Sequence, residues 1–433
     1  MTGEISARAR KLWEGLAQRR GLPLLGLLAL WVAYTISGLR MPWTPIVVTD
    51  ADVGGGLRKA LFGAAGALAV LALLEARALS AALGVQRRLT LLGAIALGST
   101  LFSAVPALTF KRGILLCFAI TVLITAVQGA RDPVRRMQAF LVGGLGAAAW
   151  ISLAAYVAFP KACSTIAERP GLAGVTSHPN TMGALMAVGL TLSWGVTPRT
   201  PRERVGLWGI RLGMALSLLL AGSMTSILFA SGAFGIFLLL NSTAYVRGTL
   251  LGLVGLGAMA FVLLLLTLGF GGVMELLGKD ASLTGRDVLW AAVFETGLER
   301  PFFGAGYGAF WVEGRGRELV GTWNPRQAHN AYLDLFVDLG AVGGLAVLGL
   351  IALVLWEGWQ REAGPPGSAS RRAAASMVAF GLAALFVYGG GESFLLKPDK
   401  LVFFALLWVL AVFDRHGPAP ALPALAPAPR RPQ

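Results

Sequence analysis

The chain has 433 residues, of which 56% are hydrophobic and 14% are charged, whereas roughly 25% are charged in a typical soluble domain. Its apolar runs are long and do not alternate with polar residues, which excludes a water-soluble globule and favours membrane-spanning helices over a β-barrel. The formal net charge of +15 does not indicate nucleic-acid binding, because the basic residues fall in short gaps between apolar runs and form no stripe interleaved with aromatic residues.

The apolar runs predict an all-α polytopic membrane protein with about twelve transmembrane helices. They lie at residues 22–39, 57–76, 89–108, 113–130, 138–159, 180–196, 205–222, 226–245, 248–269, 331–357, 373–389 and 400–414. The predicted divisions are a cytoplasmic segment at 1–21, helices one to nine within 22–269, a large outer loop at 270–330, helices ten to twelve within 331–414, and a disordered Pro- and Ala-rich cytoplasmic tail at 415–433.

Lysine and arginine are concentrated in alternate gaps between the runs, which predicts that both termini are cytoplasmic. Two segments on the opposite side, 160–180 and 270–330, are longer than a simple connection between helices. Because long ordered insertions usually carry function, we expect the functional site in these two outer segments.

Within the large outer loop, Thr284 and Asp287 have the spacing of a capping box, and apolar residues such as Leu289 and Val293 recur at helical spacing. The pattern predicts a short amphipathic helix on the outer membrane surface. Its free N–H groups, with Arg286 beside them, would suit a phosphate. The structural alternative is an arginine that pairs with a nearby acid or a lipid headgroup.

A glycine-rich segment, Arg300 to Gly308, follows that helix. Its glycines could allow the backbone to approach a ligand closely, but they favour the interpretation of a tight turn.

His329 lies where the loop enters the next apolar helix. A neutral imidazole at that place can accept a proton from a hydroxyl group. The alternative is a histidine at the membrane interface that caps its helix.

The other outer segment contains Arg169 and then His178 and Asn180. An arginine fork suits a diphosphate, because it binds oxygen atoms in pairs. Arg169, Arg286 and a helix N-terminus could therefore hold a diphosphate without a metal.

Other chemistry has weaker support in the sequence. Asp50 and Asp52 have the Asp-x-Asp spacing that binds divalent cations in many sugar transferases, but they form a bare tripeptide. Cys117 and Cys163 show no metal-binding spacing and are not placed to pair. We predict neither a metal nor a cofactor.

Together these residues resemble the O-antigen ligase superfamily. The motifs that carry the resemblance are Arg169-Pro-Gly-Leu-Ala-Gly174, Pro179-Asn180 at a helix start, Gly285-Arg286 before Trp290, Arg300-Pro301, Gly304-Ala-Gly306, His329-Asn330-Ala-Tyr332-Leu333 and Asp338-Leu-Gly-Ala-Val-Gly343. The resemblance implies a GT-C-type glycosyltransferase architecture in the bacterial inner membrane. It also implies an inverting, metal-independent transfer at the periplasmic face, from undecaprenyl-diphosphate-linked O-antigen to a sugar hydroxyl of lipid A–core.

Carried onto this chain, the resemblance makes His329 the residue that activates the acceptor hydroxyl. It makes Arg169 and Arg286 the ligands of the donor diphosphate. Supporting residues are expected among Arg326, Asn330, Tyr332, His178 and Asn180.

The chain departs from the family pattern in one place. Many members have Ser-Arg-Gly at a helix start near position 230, whereas residues 224–232 here contain no arginine. The possible replacements are Arg326, Arg315, Arg317, Lys161, Lys111 and Arg112.

Two rival interpretations of function stay open at this stage. The first is an enzyme of the same superfamily, either an O-antigen polymerase or a protein O-oligosaccharyltransferase. The second is a transporter of a lipid-linked glycan, which the scarcity of charges inside the apolar runs disfavours. We expect the protein to act as a monomer in the bilayer.

Overall fold

The structure, a computed structural model, describes residues 63–70, 86–128, 130, 132–160, 171–176, 178–243, 245–249, 251–252, 256, 259, 267–268, 286–312, 314–321 and 324–414. The helices bounded within these ranges are α1 Arg87–Gly98, α2 Pro106–Gln128, α3 Pro133–Ala158, α4 Pro179–Ser193, α5 Pro201–Ala221, α6 Met224–Asn241, α7 Arg286–Gly297, α8 Arg315–Val320, α9 Ala331–Glu362, α10 Ala369–Ala383 and α11 Leu401–Phe413. A 3-10 turn, Ser99–Phe102, follows α1, and a π-helical stretch, Ala384–Tyr388, extends α10 towards Gly391. No β-strand occurs in the part of the chain that the structure describes.

Six helices in this part of the chain are long and apolar enough to cross a membrane. They are α2, α3, α5, α6, α9, and α10 with its extension to Gly391. The prediction of an all-helical, multi-pass membrane protein is therefore confirmed. The count of about twelve helices and the GT-C architecture stay predictions, and the runs at 22–39 and at most of 248–269 lie outside the described residues.

Helices α1 and α2 differ from the predicted run at 89–108. Helix α1 ends at Gly98, and α2 already begins at Pro106. Proline is favoured at the first position of a helix, because the N–H group that it lacks would have no helical partner there. It also biases the residue before it away from helical geometry. The connecting segment is fixed from the loop after α7, since the N–H of Ala104 donates to the carbonyl of Ala305 at 2.8 Å.

Helix α11 lies at the centre of the bundle. All of its residues from Leu401 to Phe413 are buried, and its neighbours are α1, α2, α3, α4, α9 and α10. A helix that is apolar on every face is stable only when other helices or lipid surround it. At its end, the buried Asp414 accepts hydrogen bonds from the backbone N–H groups of Arg88 and Leu89.

The loops of the bundle lie on two opposite ends. One end, here called the site face, brings together residues 99–105, 297–312, 314–321, 324–330 and 392–400, and residues 171–176 and 178 lie there at the end of α5 and the start of α4. The other end carries arginines that bind exposed helix ends, such as Arg371, whose guanidinium donates to the carbonyl of Leu240 at 2.8 Å. Arg88, Arg361 and Arg371 come from gaps that the charge pattern predicted to share one side of the membrane, and in the described part of the chain they lie at this one end. That this end is cytoplasmic stays a prediction.

Helix α9 is broken at Gly340, whose φ of 67° and ψ of −175° are not helical. The glycine-rich segment packs into this break: the N–H of Ala305 donates to Val337, that of Gly306 to Asp338, and that of Ala341 to Pro301. A Cβ atom on Gly304 would lie 2.6 Å from the carbonyl carbon of Asp338. The glycines thus make a turn that contacts the protein's own backbone, as the sequence favoured.

Candidate functional site

The start of α9 holds His329 in an unusual backbone conformation. Asn330 is the cap of this helix, because its side-chain oxygen accepts the N–H groups of Tyr332 at 2.9 Å and of Leu333 at 3.2 Å. His329 immediately precedes the cap with φ of 52°, in the left-handed region that non-glycine residues rarely adopt. The backbone conformation at the entry to the helix therefore sets the direction of the His329 ring, and the helix cap is Asn330 and not His329.

Three charged or titratable side chains from different elements meet beside that helix start. Nδ1 of His329 lies 3.5 Å from Oε2 of Glu392, and Nη2 of Arg286 lies 3.6 Å from the other carboxylate oxygen. Arg286 also donates from Nη1 to the carbonyl of Gly391 at 2.7 Å. Arg286, His329 and Glu392 are called the trio below, and all three side chains are partly exposed.

The predicted short helix exists as α7, and it buries Leu289 and Val293 as its spacing indicated. Its first residue is Arg286, which therefore contacts Glu392 from the helix N-terminus. Of the predicted capping box, Asp287 lies in the first turn of α7, whereas Thr284 lies outside the described residues. The structural alternative, an arginine beside an acid, is also present in the pairing with Glu392.

Two opposing effects act on the carboxyl of Glu392. Burial raises its pKa, but the hydrogen bond and charge of His329 and the charges of Arg286 and Lys400 outweigh burial. The net result is a pKa below the ordinary value of a glutamate. Glu392 is thus an ionised carboxylate that faces the imidazole of His329.

Glu392 and Lys400 were not among the site residues predicted from the sequence. Lys400 is exposed at the residue before α11, and its charge acts on Glu392. Both lie in the short connection between α10 and α11, far along the chain from the motifs around Arg286 and His329. The available signal was a run of three glycines, 389–391, followed by an acid at the end of an apolar segment.

Two of the predicted supporting residues tie α9 to the irregular end of α10. Tyr332 donates its hydroxyl to the carbonyl of Leu385 at 2.6 Å, and the amide of Asn330 lies 3.5 Å from the carbonyl of Gly390. A π-helical stretch leaves carbonyls without their usual helical partners, so these side chains compensate for the irregularity. They hold the elements that carry His329 and Glu392 together. Arg326, a third predicted supporting residue, is exposed in the loop that leads into α9.

The second outer segment meets the same face through the starts of α4 and α6. Nδ1 of His178 accepts the N–H of Asn180 at 3.1 Å, so His178 caps α4. Gly183 of α4 packs against Ser223 and Ser226, and Thr225 packs against Gly391, one residue from Glu392. Arg169 lies outside the described residues, so its place as a donor ligand stays a prediction.

The start of α6 lies in the stretch 224–232, where the resemblance implied an arginine. Here it presents the hydroxyl groups of Ser223 and Ser226, which bond each other at 2.9 Å. Among the suggested replacements, Arg315 pairs with Glu318 at 3.3 Å and Arg112 donates to the carbonyl of Gly308. Lys161 lies outside the described residues. Lys400, which was not among the suggested replacements, is a further cation whose charge helps to lower the pKa of Glu392.

The chemistry available to the trio is proton transfer and anion binding. Within the described ranges, no group of three or more His, Cys, Asp or Glu side chains could hold a metal ion. Asp50 and Asp52 fall outside those ranges. A histidine beside an ionised carboxylate can serve as a general base, and an arginine at a helix start can bind an anion.

Comparison with known proteins finds matches to parts of this chain. Residues 210–348 match a family model described as O-antigen ligase, a region that includes Arg286 and His329 and ends before Glu392. The predicted resemblance to the O-antigen ligase superfamily is therefore confirmed. One curated relative is the exopolysaccharide production protein ExoQ of Rhizobium meliloti (strain 1021), which is 28% identical over 219 residues. The alignment covers 46% of this chain and 49% of that relative, so the match extends over about half of each protein.

Proposed function

We propose that this protein is an O-antigen ligase, which transfers a glycan from undecaprenyl diphosphate to a sugar hydroxyl of lipid A–core at the periplasmic face of the inner membrane. The observation that carries the proposal is the trio, in which an arginine at a helix start and a histidine–carboxylate pair meet at one end of a membrane bundle. The family match over both Arg286 and His329 supports the reaction class.

In the proposed reaction, His329 removes the proton from the acceptor hydroxyl. With its Nδ1–H directed at Glu392, the ring accepts that proton at Nε2, and the carboxylate stabilises the imidazolium that forms. The acceptor oxygen bonds to the anomeric carbon of the donor sugar from the side opposite the diphosphate. The bond from that carbon to the diphosphate breaks, which inverts the anomeric configuration.

Arg286 stabilises the departing diphosphate, which gains negative charge as the bond breaks. Fixed cations near a leaving group lower the barrier because they bind the transition state more strongly than the ground state. We assign the second cation to Lys400, which lies close enough to lower the pKa of Glu392, and keep Arg169 as a further candidate. The cations also offset the repulsion between the donor and the carboxylate of Glu392.

The test is reconstituted transfer with purified protein in lipid, undecaprenyl-diphosphate glycan and lipid A–core, without ATP. Wild type should produce glycan-bearing lipopolysaccharide on a gel. The variant His329→Ala should lose about 10²–10⁴-fold in rate, the usual contribution of a general base. An unchanged thermal unfolding midpoint of the variant controls for folding, and near-normal transfer would remove His329 from the mechanism.

Metal independence is tested in the same assay. Because the proposed diphosphate ligands are arginine and lysine, excess EDTA should leave the initial rate unchanged. Loss of activity with EDTA, and its recovery with magnesium or manganese, would contradict this and return attention to Asp50 and Asp52.

A second candidate is polymerase activity on the same donor, since the curated relative is named for exopolysaccharide production. In a polymerase, the acceptor hydroxyl belongs to another lipid-linked glycan, and the trio would act in the same way. Omission of lipid A–core separates the two: longer glycans on the lipid carrier would identify a polymerase, whereas a requirement for lipid A–core would identify the ligase.

A further inference from the structure

A buried carboxylate one turn into α9 connects the elements that carry the trio. Oδ1 of Asp334 accepts the N–H of Ala328 at 2.9 Å and Nε1–H of Trp311 at 2.8 Å. Its Oδ2 pairs with Nζ of Lys397 at 2.6 Å. The side chain of Asp334 is only 5% exposed, so water competes little for these bonds.

Two strained residues lie next to the partners of this carboxylate. In the described part of the chain, the non-glycine residues with positive φ are His329, at 52°, and Leu396, at 55°. Ala328 immediately precedes His329, and Lys397 immediately follows Leu396. Such conformations persist only where surrounding contacts over-determine them.

The Lys397 end of the link is coupled to Glu392 through a compact turn. The N–H of Lys397 donates to the carbonyl of Phe394, and the N–H of Glu392 donates to that of Tyr388 at the end of α10. The carbonyl of Leu396 also accepts the hydroxyl of Tyr307 from the glycine-rich segment. The position of Lys397 therefore helps to set the path of the chain from Glu392 onwards.

We propose that Asp334 is a positioning residue for the transfer reaction. Through Ala328 it holds His329 in its left-handed conformation, and through Lys397 it holds the connection that bears Glu392, so one carboxylate sets the distance between base and orienting acid. The proposal rests on the proposed function, because Asp334 acts through His329 and Glu392 and touches no substrate.

Hydrogen–deuterium exchange of the full chain in lipid nanodiscs tests the link without any need for activity. Asp334→Asn keeps an oxygen for Ala328 and Trp311 but loses the charge that binds Lys397, so exchange should rise at 394–398 and change little at 327–330. Asp334→Ala removes both arms, and exchange should rise in both segments.

Two further variants serve as controls. Lys397→Met should reproduce the effect of Asp334→Asn at 394–398. Trp311→Phe removes the third donor to Asp334 but neither arm, so neither segment should change. Increased exchange spread evenly over the bundle in all Asp334 variants would assign Asp334 to general stability and overturn the proposal.

Transfer kinetics provide the second readout. Asp334→Ala should lower kcat by about 10²-fold with little change in KM, since misplacement of a catalytic group by an ångström has an effect of that size. Lys397→Arg, which keeps the charge, should recover most of the activity lost in Lys397→Met. Normal kcat in Asp334→Ala would overturn the proposal. If wild type itself transfers no glycan, the proposed function fails, and the exchange measurements alone decide whether Asp334 holds the two segments.

Discussion

At the scale of single residues, the guanidinium of Arg286 makes two contacts with one turn of chain. It donates to the carbonyl of Gly391 and lies beside the carboxylate of Glu392. A lysine keeps the charge but has a single ammonium group in place of the planar fork. In the proposed reaction, the fork allows Arg286 to hold its protein partner while further N–H groups bind the diphosphate.

We therefore expect Arg286→Lys to impair transfer although the charge is preserved. The donor affinity should fall by about 10-fold or more, because bidentate contacts to phosphate oxygens are lost. Titration of the donor against the initial rate measures the effect. Unchanged kinetics would show that Arg286 is a structural residue that only fixes the end of α10.

Glu392 gives a prediction for the dependence of stability on pH. Its pKa is lowered in the folded protein, so its ionised form stabilises the fold above the ordinary glutamate value of about 4.3, and that contribution is lost as the pH falls through the lowered pKa. In Glu392→Gln, the unfolding midpoint should be lower than in wild type near pH 7, and the gap should close as the pH falls below 4. A gap that widens on acidification would contradict the assigned direction.

At the scale of elements, the break in α9 positions the glycine-rich segment and, through it, the site face. Gly340 has positive φ, and a Cβ atom there would overlap the backbone of Phe302. The carbonyls of Val337 and Asp338, near the break, bind the N–H groups of Ala305 and Gly306. The kink in α9 is thus the place where the glycine-rich segment packs against this helix.

Gly340→Ala should destabilise the protein by on the order of 3 kcal/mol, from backbone strain and overlap together. Gly349→Ala is a matched control in the same helix, because a Cβ atom there meets nothing within 4 Å. The control should leave stability unchanged or raise it by up to about 1 kcal/mol. Thermal unfolding in detergent compares the two, and equal midpoints would refute the role given to Gly340.

At the scale of the whole molecule, the two ends of the bundle differ in charge and in chemistry. The trio lies at the site face, and the arginine-rich gaps lie at the opposite end. The positive-inside rule assigns that opposite end to the cytoplasm, which would expose the trio to the periplasm.

Labelling with a membrane-impermeant maleimide tests this orientation. In a background with Cys117→Ala and Cys163→Ser, Glu299→Cys at the site face should be labelled in cells whose outer membrane is permeabilised. Arg202→Cys at the other end should be labelled only after lysis. Both positions are exposed in the structure, so burial does not explain a difference. The reverse labelling pattern would show that the site face is cytoplasmic, which would contradict the proposed function.

The sequence by itself determined the membrane class, the helical bundle, the existence of α7 and the candidates Arg286 and His329. These follow from local patterns: apolar length, helical spacing and short motifs. Tertiary structure alone decided the break at Gly340 and the partners Glu392 and Lys397. Glu392 lies 63 residues from His329 in sequence, and no local pattern encodes a contact of that separation. Such contacts depend on how helices pack, because only packing brings the end of α10 to the start of α9 and allows one buried carboxylate to hold two loops.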